Sequence, residues 1–158
     1  MDLILWRHAE AVDAAPGMDD MSRVLTTQGE RHAERVAQWL NERLPSEVKV
    51  LVSPAVRTRQ TVQALRRRVE LCDALAPRQG VQAMLQATGW PDAPQPVLVV
   101  GHQPSLGMAL AHLVGGQPLA QAMPWRVRKA GLWWLRCERR PHERVGVVVL
   151  AVRTPELQ

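Results

Sequence analysis

A chain of 158 residues with 46% apolar and 22% charged residues has the size and composition of a folded globular protein with one core, which excludes disorder and fibrous repeats; residues 1–158 are expected to form a single domain. No apolar run approaches the ~20 residues that span a bilayer, and Met1–Trp6 is short and carries Asp2 where a signal peptide wants bases, so a cytoplasmic protein with no membrane role is expected. The net charge of +5 permits an acidic partner, but with no Phe or Tyr a base-stacking platform would rest on tryptophan alone, and no nucleic-acid partner is expected.

In chain order, Leu3–Trp6 is an apolar run that reads as a buried strand ending at Arg7-His8. Residues 10–24 are polar, are interrupted by Pro16 and Gly17, and read as a loop. A helix is predicted from Thr27, with Glu30 three residues on completing a capping box and Ala33, Val36, Ala37, Leu40 and Leu44 at helical spacing; Pro45 ends it. Val48–Val52 is a second strand. Ser53-Pro54 then has the form of an N-cap followed by proline at the first helical position, opening a helix that turns Ala55, Thr58, Val62, Leu65 and Val69 inward.

Residues 70–80 read as irregular and 81–88 as a short helix, and Pro91, Pro94 and Pro96 mark a linker. Val97–Val100 is a third strand, stopping at Gly101-His102. Pro104 opens a helix carrying Leu106, Leu110, Leu113 and Val114, ended by Gly115-Gly116. Leu132–Cys137 and Val145–Val152 close the chain as strands. The pattern is α/β, and the continuously apolar strands predict a single open, mostly parallel central sheet with helices on both faces.

In such sheets ligands bind beyond the carboxyl ends of the strands. Arg7-His8, Ser53–Arg57 and Gly101-His102 fall there, and the last two lead into helix N-termini, which favour anions. Any one of these side chains alone could be an ordinary packed or solvated residue. Together, two histidines and two arginines make a phosphate pocket built without a metal. His32, His112 and His142 lie in helical or loop contexts and read as structural. Cys72 and Cys137 have neither disulfide-framework nor zinc spacing, and no HExxH, GxxxxGK, GxGxxG or GxSxG pattern is present.

Leu5–Ala11 resembles the Arg-His-Gly signature of the histidine phosphatase (phosphoglycerate mutase-like) superfamily. Val52–Thr61 resembles its second motif, Val99–Leu106 its third, and Arg23–Gly29 the segment leading into its first helix. The four occur in order between residue 3 and about residue 114. The short chain looks most like the phosphohistidine phosphatase branch known as SixA. Ala9 stands where the signature has glycine; a left-handed backbone there would cost alanine roughly 1–2 kcal/mol.

The resemblance implies a metal-independent phosphatase with no cofactor, in which His8 is the nucleophile and is transiently phosphorylated. Arg7 and Arg57 would clamp the phosphoryl oxygens, a protonated His102 would donate to them, and Arg23 is a further substrate-binding candidate. The flanking arginines should keep His8 neutral. Glu10, Asp19, Asp20 and Asp73 are all available as a general acid, and the residues do not choose among them. A phosphohistidine leaving group needs one least. The expected partner is a phosphohistidine-bearing protein or a small phosphorylated metabolite, and the protein itself is expected to be a monomer or weak dimer. The alternatives are a small-molecule phosphomonoesterase or mutase, or a phosphate-binding module without turnover. Arg126, Arg128 and Lys129, set between Trp125 and Trp134, could line the rim and receive an acidic protein.

Overall fold

The computed structural model describes residues 1–138 and 146–156. Its centre is a six-stranded sheet in the order β3-β2-β4-β1-β5-β6, formed by β1 (Asp2–Arg7), β2 (Lys49–Val52), β3 (Val69–Leu71), β4 (Val97–Gly101), β5 (Leu132–Glu138) and β6 (Gly146–Arg153). Neighbouring strands from β3 to β1 are parallel, whereas β5 runs antiparallel to both β1 and β6. The sheet is mostly parallel because β5 alone is reversed.

Helices cover both faces. The strict alternation of side chains along a strand sends Ile4 and Trp6 of β1 to one face and Leu3 and Leu5 to the other. On the first face, Ile4, Trp6, Val50, Leu98 and Val100 pack against Ala33, Val36, Ala37 and Leu40 of α1 (Thr27–Asn41). On the second, Leu3, Leu5, Val97 and Val99 meet Met84 of α3 (Val81–Thr88) and Leu106 and Leu110 of α4 (Ser105–Leu113). Each buried Leu, Ile, Val or Met side chain among them contributes about 1.5–3 kcal/mol. Among the described residues, no helix is long and apolar enough to cross a membrane.

Three local expectations are corrected. The cap of α1 is Thr26, one residue earlier than expected: its hydroxyl accepts the Gly29 N–H at 3.0 Å and donates to Glu10 Oε1 at 2.8 Å. The next helix, α2, covers only Val56–Thr61, and Ser53 does not cap it; the cap position is Ala55, without a side-chain bond. Beyond α2, Val62 and Leu65 do enter the core, but Val69 belongs to β3, where it pairs with Val50. The Asn41 side chain holds the chain after the break, donating to Ala64 O and accepting from Arg66 N. Of the expected final strand, Val145 lies outside the described residues, as does His142.

Loop 10–24 is folded back on itself. Ala11 bridges Leu25, Val12 N donates to Val24 O, and Thr26 N donates to Glu10 O. A Cβ at Gly29 would collide with the Glu10 carbonyl, so glycine permits α1 to sit against this loop. A short 3-10 turn, Asp20–Ser22, forms the inner part of the loop.

Candidate active site

The sheet order places the ends of β2, β4 and β1 side by side. His8 N donates to Gly101 O at 3.1 Å and Ser53 N to Val100 O at 3.0 Å, so the residues just past three strands are stitched into one rim. His8 and His102 meet there with ring centroids 5.2 Å apart. Arg57 reaches the same rim from α2, buried at 4% exposure, and Thr61 fixes that helix by accepting the Ala9 N–H at 3.0 Å. Arg7 points its guanidinium toward the segment before β5, donating to Val127 O at 2.7 Å.

His8 is neutral. Burial pushes its pKa down to about 4, against a hydrogen bond to Ala9 that favours the charged form, and Arg57, Arg7 and Arg23 lower it further. Burial, more than the arginines, is therefore the main cause. Because the ring donates through Nδ1 to the Ala9 carbonyl at 2.7 Å, its proton is on Nδ1 and the lone pair on Nε2.

His102 is also neutral, so the condition that it donate as a protonated ring is not met. Burial and then the neighbouring His8 and Arg57 bring its pKa down to about 3, with Asp20 acting in the opposite sense. Its Nε2 is 2.8 Å from Ser53 Oγ. Its Nδ1 is buried without a hydrogen-bond partner, as are Nε of Arg7 and Nε of Arg57. A buried donor left unpaired costs about 1–3 kcal/mol, which an oxyanion accepting from it would offset. The helix-terminus contribution is smaller than the sequence suggested, since α2 has six residues; α4 begins directly after the loop carrying His102, whose carbonyl accepts from Leu106 N.

The four acids separate. Glu10 is engaged with Thr26, Asp19 accepts from Met21 N in its own turn, and Asp73 is exposed in the 3-10 turn that follows β3. Asp20 is the one of the four that is ion-paired to site arginines, with its carboxylate 3.1 Å from Arg57 Nη2 and 3.0 Å from Arg23 Nη1. Partial burial works against its charge, but the hydrogen bonds from Arg23 and Arg57 outweigh it and hold the carboxyl below the usual range. An ionised Asp20 is a counter-ion to the arginines and has no proton to give. Arg23 is anchored through Nε to Val12 O at 2.7 Å, and the folded-back loop brings it within electrostatic reach of His8.

Ser53 and Thr61 fall in segments that the sequence places at this site, but without a role of their own there, and the Val127 carbonyl has no sequence signal. Ala9 is fully buried and carries no left-handed strain; among the described residues, Ala130 (φ 58°) is the one non-glycine with positive φ. No cluster of three His, Cys, Asp or Glu side chains suited to a metal ion occurs among the described residues.

Comparison with known proteins agrees with this geometry. Residues 3–79 match the histidine phosphatase superfamily (branch 1). Phosphohistidine phosphatase SixA of Escherichia coli strain K12 is 33% identical over 127 residues, spanning 74% of this chain and 76% of that protein. A crystal structure assigned as phosphohistidine phosphatase SixA from Agrobacterium tumefaciens matches with a TM-score of 0.79 at 27% identity, covering 98% of this chain and 97% of that one. The protein histidine phosphatase SixA complexed with tungstate matches with a TM-score of 0.73, also at 27% identity, over 98% and 97% of the two chains. These relatives support a phosphatase. Similarity of this extent in both sequence and backbone is common descent, and the chain belongs to the histidine phosphatase superfamily, in its SixA-type branch.

Proposed function

We propose that this chain is a metal-independent phosphatase that hydrolyses phosphohistidine through a phosphorylated His8. The observation that carries the reading is the state of His8: a neutral ring, its proton committed to the Ala9 carbonyl, its Nε2 lone pair free beside buried cationic donors. Nε2 attacks phosphorus in line, a P–N bond to His8 forms, and the bond to the leaving group breaks with its electron pair. Water then attacks the phosphoryl group, the P–N bond breaks, and phosphate and neutral His8 are regenerated. Arg7, Arg57 and the His102 Nδ1–H stabilise the oxygens that gain charge, with Arg23 behind them.

Substrate class follows from what the site lacks as a proton donor. Of the four acids, the one ion-paired to Arg57 and Arg23 is held ionised and so does not supply the proton that an alkoxide leaving group needs. An imidazole leaving group takes its proton from solvent near neutral pH. The relatives named for phosphohistidine phosphatase activity, and the tungstate held by one of them, support the same reading.

The test is hydrolysis of a chromogenic aryl phosphate, of a phosphohistidine protein and of phosphoserine, with EDTA present. Turnover of the first two should survive EDTA, stop with vanadate and fall at least about 10⁴-fold in His8→Ala, because the nucleophile itself is lost. Turnover indifferent to His8 would sink the mechanism, and a preference for phosphoserine would sink the substrate.

A further inference from the structure

Residues 125–130 form a strap laid directly on the catalytic strand end. Trp125 N donates to Gly107 O at 3.1 Å and Trp125 O accepts from Gln103 Nε2 at 2.9 Å. A Cβ at Gly107 would collide with the Trp125 carbonyl, so α4 receives the strap only because a glycine is there. Farther along, Val127 O accepts from Arg7, Ala130 N donates to His8 O at 3.1 Å, and Ala130 O accepts from Trp6 Nε1 at 3.0 Å. Val127 and Ala130 are buried. The backbone of the strap is thus as fixed as the nucleophile it borders.

What it presents outward is charge. Arg126, Arg128 and Lys129 are exposed, and among the described residues none of them is in an ion pair. With Arg7 they line a hollow of about 350 Å³ that also holds Glu10 and Glu156, four cations against two carboxylates. Glu10 is already engaged by Thr26, and Glu156 interacts with Arg128 and His32. Arg126 lies near enough to Arg7 to work against its charge. With four cations against two carboxylates, the hollow presents a net positive surface to an arriving anion.

We propose that this strap is the docking surface for a carboxylate-rich flank of the phosphohistidine-bearing protein, and the proposal rests on the phosphohistidine reading above. Arg7 belongs to both the phosphate site and the hollow, so acidic side chains seated there lie beside the phosphorylated residue. Three exposed cations on a rigid, shallow surface suit a protein face. An anionic membrane surface is usually met by four to eight, and the carboxylates of Glu10 and Glu156 would oppose it.

The experiment uses two synthetic phosphohistidine peptides of equal length, one flanked by three glutamates and one by three glutamines, with an aryl phosphate as control. Wild type should show a kcat/KM about tenfold higher for the glutamate peptide at low salt, and the ratio should fall toward one at high salt. In Arg126→Ala/Arg128→Ala/Lys129→Ala the ratio should be about one at any salt, with aryl phosphate turnover within about twofold of wild type. Calorimetric binding of both peptides to His8→Ala reads the same preference without chemistry. Equal kcat/KM and equal affinity for the two peptides would overturn the docking surface while leaving the phosphohistidine reading intact. Failure to hydrolyse either peptide, with the aryl phosphate still turned over, would overturn the parent reading and the surface with it. Retention of wild type, but not the triple variant, on phosphatidylserine vesicles with no peptide preference would overturn it in favour of a lipid surface.

Discussion

Ser53 Oγ accepts the Ala55 N–H at 3.3 Å and lies 2.8 Å from His102 Nε2, where its hydroxyl proton can be given to the ring. In that arrangement the ring proton of His102 is on Nδ1, which is buried without a hydrogen-bond partner. A neutral imidazole in that tautomer can act as a donor without being protonated. Ser53→Ala should leave His102 free to take the other tautomer, lowering kcat on an aryl phosphate about tenfold with little change in KM, and Ser53→Thr should restore most of it. A change confined to KM, or none, would remove Ser53 from the mechanism. Arg7, His8, Arg57 and His102 were legible in the sequence because they follow apolar strands or stand in quoted motifs. Ser53 was legible too, but as a helix cap: Ser-Pro is good capping chemistry, and only the sheet order shows that its hydroxyl faces His102. Asp20 could not be sorted from Asp19 because its partners lie three and 37 residues away, and nothing local encodes the second distance.

Helix α1 and the chain after α2 show where periodicity stops being informative. Thr26 and Thr27 both offer a cap, and the Thr27–Glu30 box is the stronger local pattern. Thr26 wins because its hydroxyl also finds Glu10 across the folded-back loop. Thr26→Ala should therefore cost about 1 kcal/mol for the cap and more for the released Glu10. Urea unfolding at pH 7 checks this, and a loss no larger than that of Thr27→Ala would contradict the assignment. After α2, Val62, Leu65 and Val69 keep helical spacing, but the edge of a parallel sheet needs a strand beside β2, and pairing with Val50 to Val52 claims residues 69–71. Tertiary pairing overrides spacing over so short a run. The long runs β1, β4 and α4, each with an unambiguous period and clear stops, match their sequence bounds within a residue or two, whereas α1 stops at Asn41, three residues before the expected end at Leu44.

On the scale of the whole molecule, two buried neutral histidines make folding sensitive to pH. An unfolded chain takes up protons at both near pH 6.5, whereas the folded one refuses them down to about 4 at His8 and about 3 at His102. The folded pKa values are the lower ones, so their contribution is fully present above pH 6.5, declines as the pH falls below it, and is exhausted below the folded values. Between pH 7 and 5 the loss should be on the order of 2 kcal/mol for each histidine. The buried Asp2, held low by Arg136 and Trp134 against its burial, loses its ionised form only at more acid pH. Urea unfolding at pH 7, 6 and 5 should show this slope, and His8→Gln/His102→Gln should flatten it; an unchanged slope in the double variant would place the sensitivity elsewhere.

The sheet ends in two unlike edges. β3 is three residues long, contains Glu70 and follows Arg66–Arg68. β6 is eight residues long, has no charge before Arg153, and leaves Val148, Val149, Leu150 and Val152 between 37% and 44% exposed. A long apolar edge with free backbone groups is a template for a strand from another molecule, and here the net charge of +5 opposes that encounter. Salt screens the repulsion and leaves the template untouched, so concentrated protein should scatter more light as ionic strength rises. Val148→Lys, placing a charge in the middle of β6, should suppress that scattering; if it does not, self-association starts somewhere other than this edge.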